Sequence, residues 1–388
     1  MRFSDVHHQE RALSIVRRAL VSGRTHHAYL FGGPPGVGKE LAARALAARL
    51  LCEAPDREPD ADACGECRAC RLFAAGNHPD FQLIHRGLHK LHPDRTIRAS
   101  KGLFLAVDVV RRFLIERAST TPTLGVRRVF LIRDAERMNE GAQNALLKTL
   151  EEPPGSACLI LVTSSAERLL PTIRSRCQRV PFDLLPTDYV REQLTALAGV
   201  EPGAARTLAE IAQGRLGAAL QWHRTGLLTA LAQVSNGINA GLVNNPETFG
   251  KALLEIAGEL AARTVEEDED SAEVQAGEDG VEASKPRADS KTTIETDQLR
   301  EALKLVLLLV AAVYRDALVA RSAPDASLRI LPRELSAVDG LAGAVEADQL
   351  AERIEAIVTA ERMLDRNVAP QLACERLAVA LCGQIAEA

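Results

Sequence analysis

The sequence predicts an α/β domain, a parallel sheet with helices on both faces, followed by a wholly helical C-terminal half. Three observations predict it. Through the first 180 or so residues, continuous apolar runs alternate with helix-forming stretches, the pattern of strands buried on both faces. The first run leads into a glycine-rich turn and a helix, "LFGGPPGVGKELAAR" (Leu30–Arg44). From about Pro186 the β-branched runs stop and helical spacing of apolar residues takes over.

In chain order, "HAYLFGG" (His27–Gly33) is expected as a strand feeding a helix from Lys39 to Leu51. "RRVFLIRD" (Arg127–Asp134) is a second buried strand, followed by the helical "NEGAQNALLKTLEE" (Asn139–Glu152). "ACLILVTSS" (Ala157–Ser165) is a third strand and "CQRVPF" (Cys177–Phe182) a short fourth. "TDYVREQLTALAG" and "EPGAARTLAEIAQGRLGAALQW" suit a small helical domain ending near Trp222. Longer helices are expected over Thr225–Arg263 and Thr296–Ala388. The segment between them lacks large apolar residues and is expected to be a disordered insertion, about 264–292. The domains expected are 1–183, 184–224 and 225–388.

Charged residues make up 26% and aromatics 3%, a composition that suits a soluble, helix-rich protein. The formal net charge of -5 announces no nucleic-acid binder. Residues 264–290 alone carry -8, which leaves +3 on the rest. "MRFSDVHHQE" has no apolar core and is not a secretory signal. "LKLVLLLVAAVY" (Leu303–Tyr314) is too short to span a bilayer and is expected as a buried helix. A cytoplasmic protein with no membrane partner is the expectation.

The turn after the first strand nearly completes a P-loop, G-x-x-x-x-G-K-[ST]. Gly33, Gly36, Gly38 and Lys39 form an anion cradle of backbone N–H groups, a helix N-terminus and an ammonium. The next residue is Glu40, where a Ser or Thr would hold magnesium. Its charge is expected to sit beside a triphosphate and oppose binding. A glycine-rich turn with no ligand is the plainer alternative. At the end of "VFLI" an acidic residue would also serve magnesium, but Arg133 stands there and Asp134 follows. A guanidinium can replace the metal's charge and cannot coordinate anything. Two altered magnesium positions argue against hydrolysis.

Cys52 and "CGECRAC" (Cys64, Cys67, Cys70) supply four thiolates at the spacing of a closed tetrahedral Zn²⁺ site. Such a site has no open position and is structural. A redox dithiol or plain thiols are the alternatives, and His78, His85, His89 or His92 could substitute as ligands. In "LLPTIRSRCQRV", Pro171 and a short helical turn project Arg176 at the end of the domain. An exposed arginine there can enter a neighbouring subunit's site and stabilise a transferring phosphoryl group. An ordinary salt-bridged arginine is the plainer account.

These residues together resemble the clamp-loader subunits of bacterial DNA polymerase III, AAA+ proteins, and within them the delta-prime family. "CGECRACRLFAAGNHPDF" (Cys64–Phe81), "DAERMNEGAQNALLKTLEEPP" (Asp134–Pro154) and Ser175-Arg176-Cys177 carry the resemblance. It implies an AAA+ domain, a helical lid and a C-terminal domain that joins a hetero-pentameric collar. It implies Arg176 as an arginine finger acting in trans on ATP held by tau/gamma motor subunits. It implies Cys52, Cys64, Cys67 and Cys70 as zinc ligands, and a delta subunit, the sliding clamp and primer–template DNA as further partners. Active members carry a lid arginine where "GRLGAALQW" places Gly217. Glu40, Arg133 and Gly217 therefore depart together, as in a stator that does not burn ATP. Retention of ATP or ADP by the loop is left open. An active tau/gamma-type ATPase is the alternative. A zinc-dependent nucleic-acid regulator, with Arg68, Arg71 and Arg86 near the knuckle, is a weaker third.

Overall fold

The computed structural model describes residues 2–54, 58, 60–100, 104–240, 245–278, 296–323, 328–332 and 335–382. Contacts divide the chain into two compact units: among the described residues, 2–186 with 275–278 form the first and the others form the second.

The first unit is a five-stranded sheet, β1 (Ala28–Gly32), β2 (Phe81–Ile84), β3 (Arg128–Ile132), β4 (Ala157–Thr163) and β5 (Gln178–Pro181). All pairings are parallel, and the order is β2-β3-β4-β1-β5. The expected apolar runs give β1, β3, β4 and β5. The edge strand β2 was not expected: "FQLI" is too short and too lightly patterned to stand out, and its register comes from pairing with Val129–Ile132.

Alternate residues cover the two faces. Ala28, Leu30, Phe130, Ile132, Leu159 and Leu161 belong to one core. It is closed by Val109, Val110 and Leu114 from α5 (Val107–Val110) and the π-turn after it, by Leu146 and Leu150 of α7 (Glu140–Glu151), and by Ile173 of α8 (Pro171–Arg176). The π-turn runs into α6 (Glu116–Ala118). Against the other face lie α1 (Glu10–Val21) on β5 and α2 (Lys39–Leu51) on β1, β3 and β4. The alanine-rich α2 is buried almost all round, so its small side chains let the helix lie close to the sheet. Short helices α3 (Arg68–Ala74) and α4 (Arg95–Arg98) fall in the segments flanking β2.

The second unit is all helical. α9 (Thr187–Ala198), α10 (Pro202–Ala212) and α11 (Leu216–Arg224) pack on one another. α12 (Leu227–Asn239) and α13 (Pro246–Glu278) follow, then α14 (Thr296–Ser322), α15 (Ser336–Ala344), α16 (Ala347–Asp365) and α17 (Pro370–Cys382). α14 touches α12, α15, α16 and α17, and its Leu303, Val306, Leu309, Val310 and Tyr314 are buried as the apolar run predicts. Among the described residues, no helix is long and apolar enough to cross a membrane.

One expectation is corrected. Residues 264–278, placed in a disordered insertion, continue α13. Five of these fifteen residues are Glu, two are Ala and none is proline, so the segment keeps helix-forming residues that apolar content does not report. The rest of that segment, 279–292, lies outside the described residues.

Candidate functional site: a P-loop closed by an ion pair

β1 is followed in sequence by β2, which lies at the sheet's far edge, so the chain leaves β1 at a topological switch point. Ligands of open α/β sheets gather there, beyond the carboxyl ends of the strands. Gly33, the residue after β1, has φ 153°, and a Cβ on it would lie 2.2 Å from the Phe182 carbonyl oxygen. Only glycine lets the loop pass so close to the chain leaving β5. Gly38, at φ 95°, caps the N-terminus of α2 in the left-handed region. The buried Gln9 side chain donates to the Val37 and Asp183 carbonyls at 3.4 and 2.8 Å and accepts from Asp183 N–H at 3.0 Å. It pins the loop to the end of the domain.

Lys39 is buried and folds back on the loop. Its Nζ donates to the carbonyl of Gly33 at 2.7 Å, to that of Pro34, and to Ser164 Oγ at 3.4 Å. Burial pushes the ammonium down to about 8. The cation a phosphate would meet is thus already hydrogen-bonded within its own loop.

Glu40 and Arg133 find each other. The guanidinium grips the carboxylate at two points, Nε to Oε2 at 2.8 Å and Nη2 to Oε1 at 2.6 Å. Arg44, one turn along α2, adds a contact to Oε1 at 2.9 Å. Burial alone would raise the Glu40 pKa, yet Arg133 and Arg44 bring it below the ordinary carboxylate range. The expectation that Glu40 repels a triphosphate is therefore modified: two arginines neutralise it. What it lacks is a hydroxyl, and Arg133 spends its fork on protein. Burial, with Arg133 next, also pushes His85 down to about 4, so its imidazole is neutral at pH 7. Asp134 sits in the left-handed region at φ 49°, its carboxyl raised by burial and by Glu136. Glu136 in turn accepts the Ser164 N–H at 3.2 Å.

The sulfur atoms of Cys52, Cys64, Cys67 and Cys70 all lie within 4.8 Å of one another. Zn–S bonds of ~2.3 Å in a tetrahedron set edges of about 3.8 Å, and Cys64 and Cys70 stand 3.7 Å apart. Sγ of Cys64 accepts from the N–H groups of Cys67 and Glu66 at 3.2 and 3.4 Å, and chiefly the Cys67 N–H lowers its thiol to about 6. The donor set suits a soft, tetrahedral metal held as thiolate. Among the described residues no histidine joins the cluster. Asp62, two residues before Cys64, accepts from the Phe3 N–H at 2.5 Å and the Ser4 hydroxyl at 3.1 Å. It ties this loop to the N-terminal segment.

Past the cluster, Asp80 of "HPD" is fully buried and accepts N–H bonds from Thr123, Leu124 and Gly125 at 2.6, 2.8 and 3.3 Å, with Arg128 at 3.2 Å. Arg176 is the last residue of α8. Its Nη1 donates to the Thr172 carbonyl at 3.0 Å, and its Nη2 meets Glu151 Oε1 at 2.7 Å. In the second unit, Gly217 lies in the first turn of α11 and brings no side chain. The nearby Arg215 donates to the Ala212 carbonyl at 2.8 Å and stacks 5.3 Å from the Trp222 ring. Sequence reasoning missed Gln9, Asp62, Glu151 and Ser164. Their partners lie 25 to 174 residues away or depend on helix packing, and no motif spacing marks them.

Residues 8–186 match the family model described as "DNA polymerase III, delta subunit". DNA polymerase III subunit delta' of Pseudomonas aeruginosa is 40% identical over 213 residues, 55% of this chain and 60% of that protein. The Escherichia coli delta' subunit is 36% identical over 200 residues, 51% of this chain and 55% of that one. The tau subunit of Escherichia coli is 31% identical over 282 residues, 68% of this chain and 41% of that protein. The chain thus spans between half and two thirds of the length of the curated delta' relatives it matches.

Proposed function

We propose that this chain, whose residues 8–186 match the family model described as "DNA polymerase III, delta subunit", is a structural subunit of a clamp loader that does not hydrolyse ATP. The observation that carries the reading is the Glu40–Arg133 pair. Hydrolysis needs magnesium bridging the β- and γ-phosphates, with a hydroxyl beside the P-loop lysine and a carboxylate on the facing strand. Here both positions are occupied by groups that satisfy one another. Gly217, where the resemblance puts a lid arginine, brings no side chain.

The chain's contribution to chemistry is then Arg176, offered in trans to ATP bound by a neighbouring tau/gamma subunit. It stands at the free end of α8, its side chain about one-third exposed. Cys52, Cys64, Cys67 and Cys70 would hold a zinc ion whose role is to fix the loop between α2 and α3. The second unit would supply a lid and a collar domain that joins tau/gamma and delta subunits in a pentamer. The assembly would load the sliding clamp on primed DNA.

The test has two arms. The isolated chain should show no magnesium-dependent ATP hydrolysis. A loader reconstituted with Arg176→Ala should assemble normally and lose hydrolysis, by a factor on the order of 10³ at the affected site. A turnover in the isolated chain that Lys39→Ala abolishes would instead support an active tau/gamma-type ATPase. The tau relative, aligned over 68% of the chain, keeps that second reading in view.

A further inference from the structure

We propose that Glu151 is a positioning residue for the Arg176 finger, so that α7 sets where the guanidinium points. The inference rests on the reading of Arg176 given above. It starts from the way α7 holds α8 at both ends. At the front, the buried Gln143 side chain accepts the Leu170 N–H at 2.8 Å and donates to the Arg168 carbonyl at 3.4 Å and the Met138 carbonyl at 3.1 Å. In the middle, Ile173 is fully buried in the core that Leu146 and Leu150 share. At the back, Glu151, the last residue of α7, takes Arg176 Nη2 at 2.7 Å.

An arginine at the end of a six-residue helix has four side-chain torsions to settle and, by itself, no fixed direction. Two contacts remove that freedom. The Thr172 carbonyl takes one hydrogen of Nη1, and Glu151 takes one of Nη2. A guanidinium carries five N–H donors in a rigid fork, so three are left for another acceptor. Holding the fork by two donors sets the plane in which the others are offered. That is preorganisation toward a phosphoryl group before the neighbour's ATP arrives. The pair is open to solvent, with side chains 34% and 49% exposed, so its strength is that of a surface ion pair. The effect of removing it is correspondingly modest and smaller than that of removing Arg176.

The experiment uses the loader reconstituted from full chains, with Glu151→Ala, Glu151→Gln, Arg176→Ala and the double variant Glu151→Ala/Arg176→Ala. Assembly is checked by native mass measurement. The expected result is a two- to fivefold fall in kcat for Glu151→Ala with KM for ATP unchanged, since the finger acts on the transition state. Glu151→Gln, which keeps an acceptor oxygen, should recover part of the loss. Glu151→Ala should cost nothing further when Arg176 is already alanine. A normal kcat in Glu151→Ala, alongside a loss in Arg176→Ala, overturns the positioning role and leaves the finger standing. A persistent Glu151 effect in the Arg176→Ala background also overturns it, because Glu151 would then act by another route. No loss in Arg176→Ala removes the finger itself, and the inference falls with it.

Discussion

The carboxylate of Glu40, at the first turn of α2, and the guanidinium of Arg133, at the end of β3, close on each other at 2.6 and 2.8 Å. They come from positions 93 residues apart and meet where a P-loop protein would keep its metal. Without Arg133, Glu40 would keep only its contact with Arg44; without Glu40, Arg133 would lose both of these hydrogen bonds. Together they satisfy one another, with Arg44 as a further partner of the carboxylate.

A double-mutant cycle with Glu40→Gln and Arg133→Gln should therefore give a coupling energy of about 1–2 kcal/mol in denaturant unfolding, the range for a two-point charged hydrogen bond that is not fully buried. Independent, additive effects would show that the contact contributes nothing. The combined variant Glu40→Ser/Arg133→Asp restores both magnesium-holding groups, and ADP binding measured by calorimetry should become magnesium-dependent in it.

Zinc content checks the cysteine module. The full chain should carry about one equivalent, and Cys64→Ser/Cys67→Ser should carry none. Because Asp62 of the same loop holds Phe3 and Ser4, stripping the metal should raise amide hydrogen exchange over residues 2–9. Asp62→Ala should do the same with the metal retained. Unchanged protection in both would separate the N-terminal segment from the metal.

Lys39 makes stability depend on alkaline pH. Its folded value, about 8, lies below the value of ~10.4 expected in the unfolded chain. Between these limits the unfolded state binds more protons, so stability rises with pH across that window. Below pH 8 both states are protonated and the cost of burying the ammonium is constant. Thermal midpoints compared with Lys39→Met at pH 7.5, 8.5 and 9.5 should show the wild type gaining on the variant. A constant difference would place the lysine's titration outside that window.

Asp80 acts in the opposite pH range. Burial alone would raise its pKa, but the N–H groups of Leu124, Thr123 and Gly125, with Arg128, hold it below the ordinary carboxylate range. A depressed carboxylate contributes stability above the unfolded value of ~3.9, and that contribution is lost as pH falls through the folded value. Asp80→Asn should cost about 2–4 kcal/mol at neutral pH, because buried donors lose a charged acceptor. It should also flatten the acid limb of the stability profile. Wild-type stability in the variant would mean that an uncharged amide oxygen serves these donors as well as the carboxylate does.

Much of this was legible in the residues. Lys39, Glu40 and Arg133 were visible as a loop lysine and two misfits, and the four cysteines as one spaced cluster. The misfits were legible as losses and not as a pair. Sequence separation hides a contact between a helix start and a strand end until the sheet places β3 beside β2 and β4 and brings α2 across it. Helix α13 was cut short for a related reason. Apolar periodicity reports burial, whereas helix propensity depends on residue type and on the absence of proline, and α13 runs on to Glu278.

The sequence by itself determined the local order: which runs become buried strands, where the glycine loop turns, that Cys64, Cys67 and Cys70 follow one another at three-residue steps, and that a proline-led turn ends in Arg176. Those features depend on neighbours a few residues away, where chain stiffness and side-chain period act directly. Only the tertiary structure decided that Glu40 is neutralised and not exposed, that Lys39 folds back on the Gly33 carbonyl, that Asp62 fastens the N-terminal segment, and that Glu151 steadies Arg176. Each of these is a polar contact between distant segments. Apolar burial brings such segments together, and the charges then pair with what the packing has placed beside them.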